Sequence, residues 1–137
     1  MTNEERYAAI AAELTTSTHP TTNPYSVDDQ TAREELNAEN VTRIRATMTG
    51  SEIWDTTDYD EFAALTEIQR DEWLAFCAID DHDPKAGGLA QQFVVSIFGA
   101  GDTLSALAAT RNEDVSQATI LGVGNVSLGD VQNARNI

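Results

Sequence analysis

Cysteine and lysine each occur once, at Cys77 and Lys85, and the 137 residues hold two histidines and three prolines. A single thiol excludes an intrachain disulfide framework, and the neighbours Trp73, Leu74, Phe76 and Ile79 read it as an inert, buried side chain. Such a thiol favours a reducing compartment. The one lysine does not follow a glycine run of the GxxxxGK type, so no phosphate loop is present, and Gly122-x-Gly124 with Gly129 has the wrong spacing for a dinucleotide loop. Two histidines in unrelated contexts and one cysteine supply no nucleophile–base pair. No apolar run approaches the roughly 20 residues that cross a bilayer, and MTNEERYAAIAAEL puts acids where an export signal needs positive charge. The chain therefore reads as a soluble protein without a recognisable export signal.

Positive charge is also scarce. Aspartate and glutamate number 23 against 8 lysines and arginines, a formal net charge of −15. Such a chain repels phosphate backbones and anionic membrane surfaces, so neither specific nucleic-acid binding nor membrane binding is expected. Acids in place of lysine also fit a salt-adapted host, an idea that a thermal stability independent of KCl would remove. The acids do not concentrate into a site. Asp80-Asp81-His82-Asp83 is the only dense group of metal-ligand types, but counted from Asp81 a calcium loop would need glycine sixth and glutamate twelfth, where Ala86 and Gln92 stand. His19, alone in its segment, reads as an ordinary loop histidine. No catalytic, cofactor or metal residue is assigned, and no enzyme is expected.

What the chain does contain is helix. Its most apolar stretch, GGLAQQFVVSIFGAG from Gly87 to Gly101, is expected to form a buried central helix starting near Pro84, capped by Asp83, with Leu89, Phe93 and Ile97 in one row and Ala90, Val94 and Phe98 beside it. A buried strand over Phe93–Phe98 fits the same run, and the glycine stop at Gly99 and Gly101 favours the helix. Around it, Thr2 with Glu5 and Thr66 with Gln69 have capping-box spacing, Ser26 and Asp29 mark another start, Thr49 to Glu52 opens a helix, and Asp102 caps a further one with Arg111 near its C-terminal end. In the first helix Tyr7, Ile10, Ala11 and Leu14 form the apolar stripe, with Glu4, Glu5 and Glu13 facing solvent. Trp54 and Trp73 read as core aromatics. The stretch NVTRIRATMT from Asn40 reads equally as a short strand or as continued helix. The expectation is an all-α single domain over 1–137, a compact bundle of five to seven helices, with an extended Thr/Pro-rich linker at 15–25 and a C-terminal arm at 122–137 whose removal leaves the body folded.

Several segments together resemble a family of small virion proteins of tailed bacteriophages. They are Thr47-Met48-Thr49-Gly50-Ser51-Glu52-Ile53-Trp54, Glu61-Phe62-x-x-Leu65-Thr66, Ile97-Phe98-Gly99-x-Gly101 with Thr103-Leu104-x-Ala106-Leu107, and Ser116-x-Ala118-Thr119-x-Leu121-Gly122-x-Gly124 through Gly129-Asp130-Val131-Gln132-x-Ala134-Arg135. The resemblance spans roughly residues 20–135. It implies a non-enzymatic head–tail connector (adaptor) subunit in the neck: a homo-oligomeric ring contacting portal and tail or head-closure proteins, located in the virion after assembly in the host cytoplasm. In such rings the chain ends reach neighbours, and the expected contact residues are Pro24, Tyr25, Val131, Arg135 and Ile137, with Arg43 and Arg45 as anchors for an acidic neighbour. Local pairing of those two arginines with Glu34, Glu35 or Glu39 is the competing reading. The alternative function is a small acidic regulator, or DNA mimic, that occupies a basic partner.

Overall fold

A computed structural model describes residues 1–137. It corrects the all-α expectation. Nine helices account for 55% of the chain, and two small antiparallel sheets accompany them, making the fold mixed α/β and helix-rich. The chain divides into two compact units, one built from Met1–Thr42 with Asp114–Ile137 and the other from Arg43–Glu113.

The first unit contains α1 (Asn3–Thr15), α2 (Asp29–Asn37), α8 (Gln117–Ile120) and α9 (Leu128–Arg135). Local chemistry starts each helix. Thr2 and Glu5 form the capping box of α1, Asp28 caps α2, Ser116 caps α8, and Ser127 with Asp130 makes the box of α9. Helix α9 packs on α1 and α2, and the core joins Ile10, Ala32, Leu36, Val126, Val131 and Ala134. Gly122 and Gly124 hold φ of +74° and +67°, the left-handed turns that let Val123 and Val126 point inward between α8 and α9. The Asn37 side chain clamps Val126 by accepting from its N–H at 2.9 Å and donating to its carbonyl at 2.7 Å. Residues 122–137, expected as a removable arm, thus carry four of the buried apolar side chains of this core, Val123, Val126, Val131 and Ala134.

The second unit contains β2 (Met48–Thr49), α3 (Gly50–Thr56), α4 (Tyr59–Ala63), α5 (Glu67–Cys77), β3 (Asp81–His82), α6 (Leu89–Phe98) and α7 (Asp102–Thr110). Its core is Met48, Ile53, Trp73, Val94, Ile97 and Leu107. Trp73, fully buried, is the centre. Phe98 meets its ring edge-on at 4.7 Å, Phe76 and Phe93 stack at 5.3 and 6.2 Å, and its indole N–H donates to Thr57 Oγ1 at 3.1 Å. The apolar stretch is the helix α6, but it begins five residues later than the proline implied. Asp83 accepts from the Lys85 N–H in a local turn, and Gly87 at φ +72° followed by Gly88 delays the helix. Leu89 is consequently the first helical residue and lies 83% exposed, leaving the inner row to Val94 and Ile97.

The sheets are what the helical reading lacked. Met48 pairs with His82 and Thr49 with Asp81 in β2–β3. Strands β1 (Val41–Ile44) and β4 (Asn112–Val115) pair with each other. The ambiguous alternation at 41–49 resolves as extended chain, because strands far away in sequence complete its hydrogen bonds.

Candidate functional site

Tertiary structure engages most of the expected contact residues internally. Arg43 pairs with Glu113 at 2.8 Å, and Arg45 grips Glu52 through both guanidinium ends at 2.5 and 2.9 Å. Both arginines are engaged within the chain, but not with Glu34, Glu35 or Glu39, the acids of the competing reading, and Glu113 lies 70 residues from Arg43. The Arg45 guanidinium and the Thr49 N–H hold the Glu52 carboxyl down at about 2. Tyr25 and Val131 are buried in the core of the first unit. Arg135 donates to the Ser26 and Val27 carbonyls and to Asp29, closing α9 onto the start of α2. Pro24 and Ile137 remain exposed.

The 15–25 segment is organised by a buried polar cluster. Glu13, expected on the solvent face, is only 3% exposed. It lies one turn beyond Ile10 on the inward face, and the returning chain supplies its donors: Thr18 N–H at 3.0 Å, Thr18 hydroxyl at 2.6 Å, Tyr25 hydroxyl at 2.8 Å and the Gln117 amide at 3.3 Å. Burial raises the pKa of this carboxyl, and the bonds from Thr18 and Tyr25 outweigh it, so the net shift is downward. The same burial and the adjacent carboxylate push the Tyr25 phenol upward. His19 is buried as well. Its Nδ1 accepts from the Thr21 and Thr22 N–H groups at 3.0 and 2.9 Å, which leaves Nε2–H to donate to Asn40 Oδ1 at 2.9 Å. Every polar atom of the ring is thus used to shape the loop. The sequence carried no signal for this, since Glu13 meets Gln117 across 104 residues.

His82 is likewise structural: its ring packs on Phe76 with centroids 4.1 Å apart, and its Nε2 bonds the Phe76 carbonyl at 2.8 Å. Cys77 is half-buried, and burial pushes its thiol up to about 11. Arg111 is the C-cap residue of α7, and its backbone N–H, not its guanidinium, bonds the Leu107 carbonyl at 3.0 Å.

On the second unit, α3 and α5 present a shallow depression formed by Ser51, Trp54, Asp55, Leu74, Cys77 and Ala78. Trp54 corrects the core assignment. It sits edge-on to Phe62 at 5.2 Å yet is 41% exposed, with Leu74 at 45% and Ile79 at 52% on α5 and the residues just after it. No helix of the protein is long and apolar enough to cross a membrane. No known protein family matches the chain, and no curated protein or solved structure matches it significantly.

Proposed function

We propose that the protein is a non-enzymatic structural subunit of a tailed-phage virion, a head–tail connector (adaptor) that works as a homo-oligomeric ring between portal and tail. The observation that supports an assembling protein is the solvent-facing set Trp54 on α3, Leu74 on α5 and Ile79 just after it, large apolar side chains left in water on an otherwise acidic chain. A second copy of the chain covers that surface in this reading, and the contact buries apolar area. The resemblance of the Thr47–Trp54, Glu61–Thr66 and Ile97–Leu107 segments supplies the virion context. Two of those segments meet in the second unit: the Glu61 carboxylate accepts from the Thr103 N–H at 2.5 Å, and the Asp58 N–H donates to Thr103 Oγ1 at 3.0 Å.

Light scattering across a concentration series tests self-association. The mass should rise toward a closed multiple, and Leu74→Asp should return it to the monomer with its circular dichroism unchanged. A monomer at every concentration removes the ring. Antibody labelling of virions in electron micrographs then tests location, and a neck without label removes the connector assignment. The second reading, an acidic regulator, draws on Glu67, Asp71 and Glu72, all exposed along α5. It requires a monomer that captures a basic partner.

A further inference from the structure

The second unit contains a half-open cavity of about 50 Å³. Its wall is apolar, with Met48, Ile53, Phe76, Val94, Leu104 and Leu107 lining it. Three polar side chains share that wall: His82, Gln91 and Arg111. The Nε2–H of His82 is committed to the Phe76 carbonyl. Gln91 accepts from the Gly87 N–H through Oε1, and its amide N–H donors have no partner in the chain.

Arg111 is the cation on this cavity wall. Its Nε is buried and has no hydrogen-bond partner; the Nε of Arg33, which does not line the cavity, is likewise buried without one. None of the chain's ion pairs includes Arg111, although 23 acids are present. The nearest acid in sequence, Glu113, is taken by Arg43, and Glu52 is taken by Arg45. The Arg111 backbone cannot drift toward another acid. Its N–H donates to the Leu107 carbonyl at 3.0 Å, and its own carbonyl accepts from the Arg45 N–H at 2.8 Å. A buried guanidinium nitrogen with no acceptor is costly, and native structures rarely leave one.

The two requirements define an occupant. The guanidinium, with the Gln91 amide on the same wall, calls for an anionic acceptor, and planar carboxylate suits its fork. The wall calls for an apolar body. At about 10–15 Å³ per water-sized group, the space holds roughly three to five such groups, enough for a short branched tail with the carboxylate at the open side. We propose that this cavity binds a small apolar monocarboxylate, its short aliphatic tail among Val94, Leu104 and Leu107 and its carboxylate on Arg111. A neutral hydrocarbon of that size would leave Nε unpaired, and an inorganic anion would leave the wall empty.

Methyl NMR of the full chain, titrated with isovalerate, 3-methylbutanol and acetate, tests this. Potassium chloride at about 0.2 M shortens the screening length below about 8 Å and so suppresses the repulsion of the acidic surface. Isovalerate should shift the methyl signals of Val94, Leu104, Leu107 and Ala108 saturably, and should bind about ten-fold or more tighter than the alcohol, the margin of a charge-assisted hydrogen bond. Acetate should bind more weakly than isovalerate for lack of a tail. Arg111→Gln should bring isovalerate to the affinity of the alcohol. The proposal is overturned by an absence of saturable shifts, by equal affinities for acid and alcohol, or by undiminished binding in a folded Arg111→Gln chain. Should that variant unfold, the acid-against-alcohol comparison in the unaltered chain decides alone.

Discussion

Replacing Glu13 by alanine is the sharpest probe of the first unit. The substitution removes the acceptor of four hydrogen bonds, from Thr18 N–H, Thr18 hydroxyl, Tyr25 hydroxyl and the Gln117 amide, at a residue only 3% exposed. Thr18 Oγ1 still accepts from Gln117 at 2.8 Å, so that amide keeps one partner. The Tyr25 hydroxyl and the Thr18 N–H are left buried or half-buried with nothing to meet. At about 1–3 kcal/mol for each of the two stranded donors, the expected loss is roughly 2–6 kcal/mol. Glu13→Gln should cost less, about 1–3 kcal/mol, because an amide oxygen still accepts and only the charge reinforcement goes. Urea unfolding followed by far-ultraviolet circular dichroism measures both. Tryptophan fluorescence reports the other unit separately, since Trp54 and Trp73 both lie between residues 43 and 113. The pH dependence carries the sign. Folding lowers the Glu13 pKa below its ordinary 4.5, so the carboxylate's contribution is complete above that pH and is lost as the pH falls through the folded-state value. The gap between the natural chain and Glu13→Gln should therefore narrow in acid. A Glu13→Ala cost below about 0.5 kcal/mol, the range of an unremarkable surface change, would refute the buried-acceptor account.

Gly50→Ala should be strongly destabilising, by about 3 kcal/mol or more, because an added Cβ would lie 2.0 Å from the Cys77 carbonyl oxygen and 2.3 Å from that of Ile79; a thermal melt unchanged within error would contradict the close approach of α3 to the end of α5. Trp73→Ala should cost about 3–5 kcal/mol and Leu89→Ala less than about 0.5 kcal/mol, and denaturation of the two variants ranks the real core centre against the apparent one. Cys77, with its thiol near 11, should react with a disulfide reagent at pH 8 roughly a hundred-fold more slowly than free cysteine, and a rate equal to that of the free amino acid would show the thiol to be accessible. Glu52→Ala should lose about 1–2 kcal/mol through its capping box and its Arg45 pair, and in the unaltered chain that contribution should fade only as the pH falls from 4.5 through about 2.

The order in which evidence accumulates along a chain explains what was legible. Helix starts were readable where a cap is complete within four residues: Thr2 with Glu5, Thr49 with Glu52 and Thr66 with Gln69 form the boxes their spacing predicts, whereas α6 and α7 start at Gly88 and Gly101 with no side-chain cap, not at Asp83 and Asp102. Inner faces were readable where apolar residues recur at helical spacing, as at Ile10, Val94, Ile97 and Leu107. Ends were less so. Leu89 belongs to the apolar row of α6 by spacing and to solvent by position, because the row runs past the neighbours that cover Val94 and Ile97.

By itself, then, the sequence determined an acidic, helix-rich chain with no disulfide, its local caps and the apolar faces of its longer helices, since each depends on composition or on residues within one or two turns. Tertiary structure alone decided the rest. It closed residues 1–42 with 114–137 into one unit and paired Met48–Thr49 with Asp81–His82. It turned Glu13 and His19 inward and left the Arg111 Nε buried without a partner. Each of those outcomes depends on groups tens to a hundred residues apart, whose pairing becomes favourable only when both are withdrawn from water together.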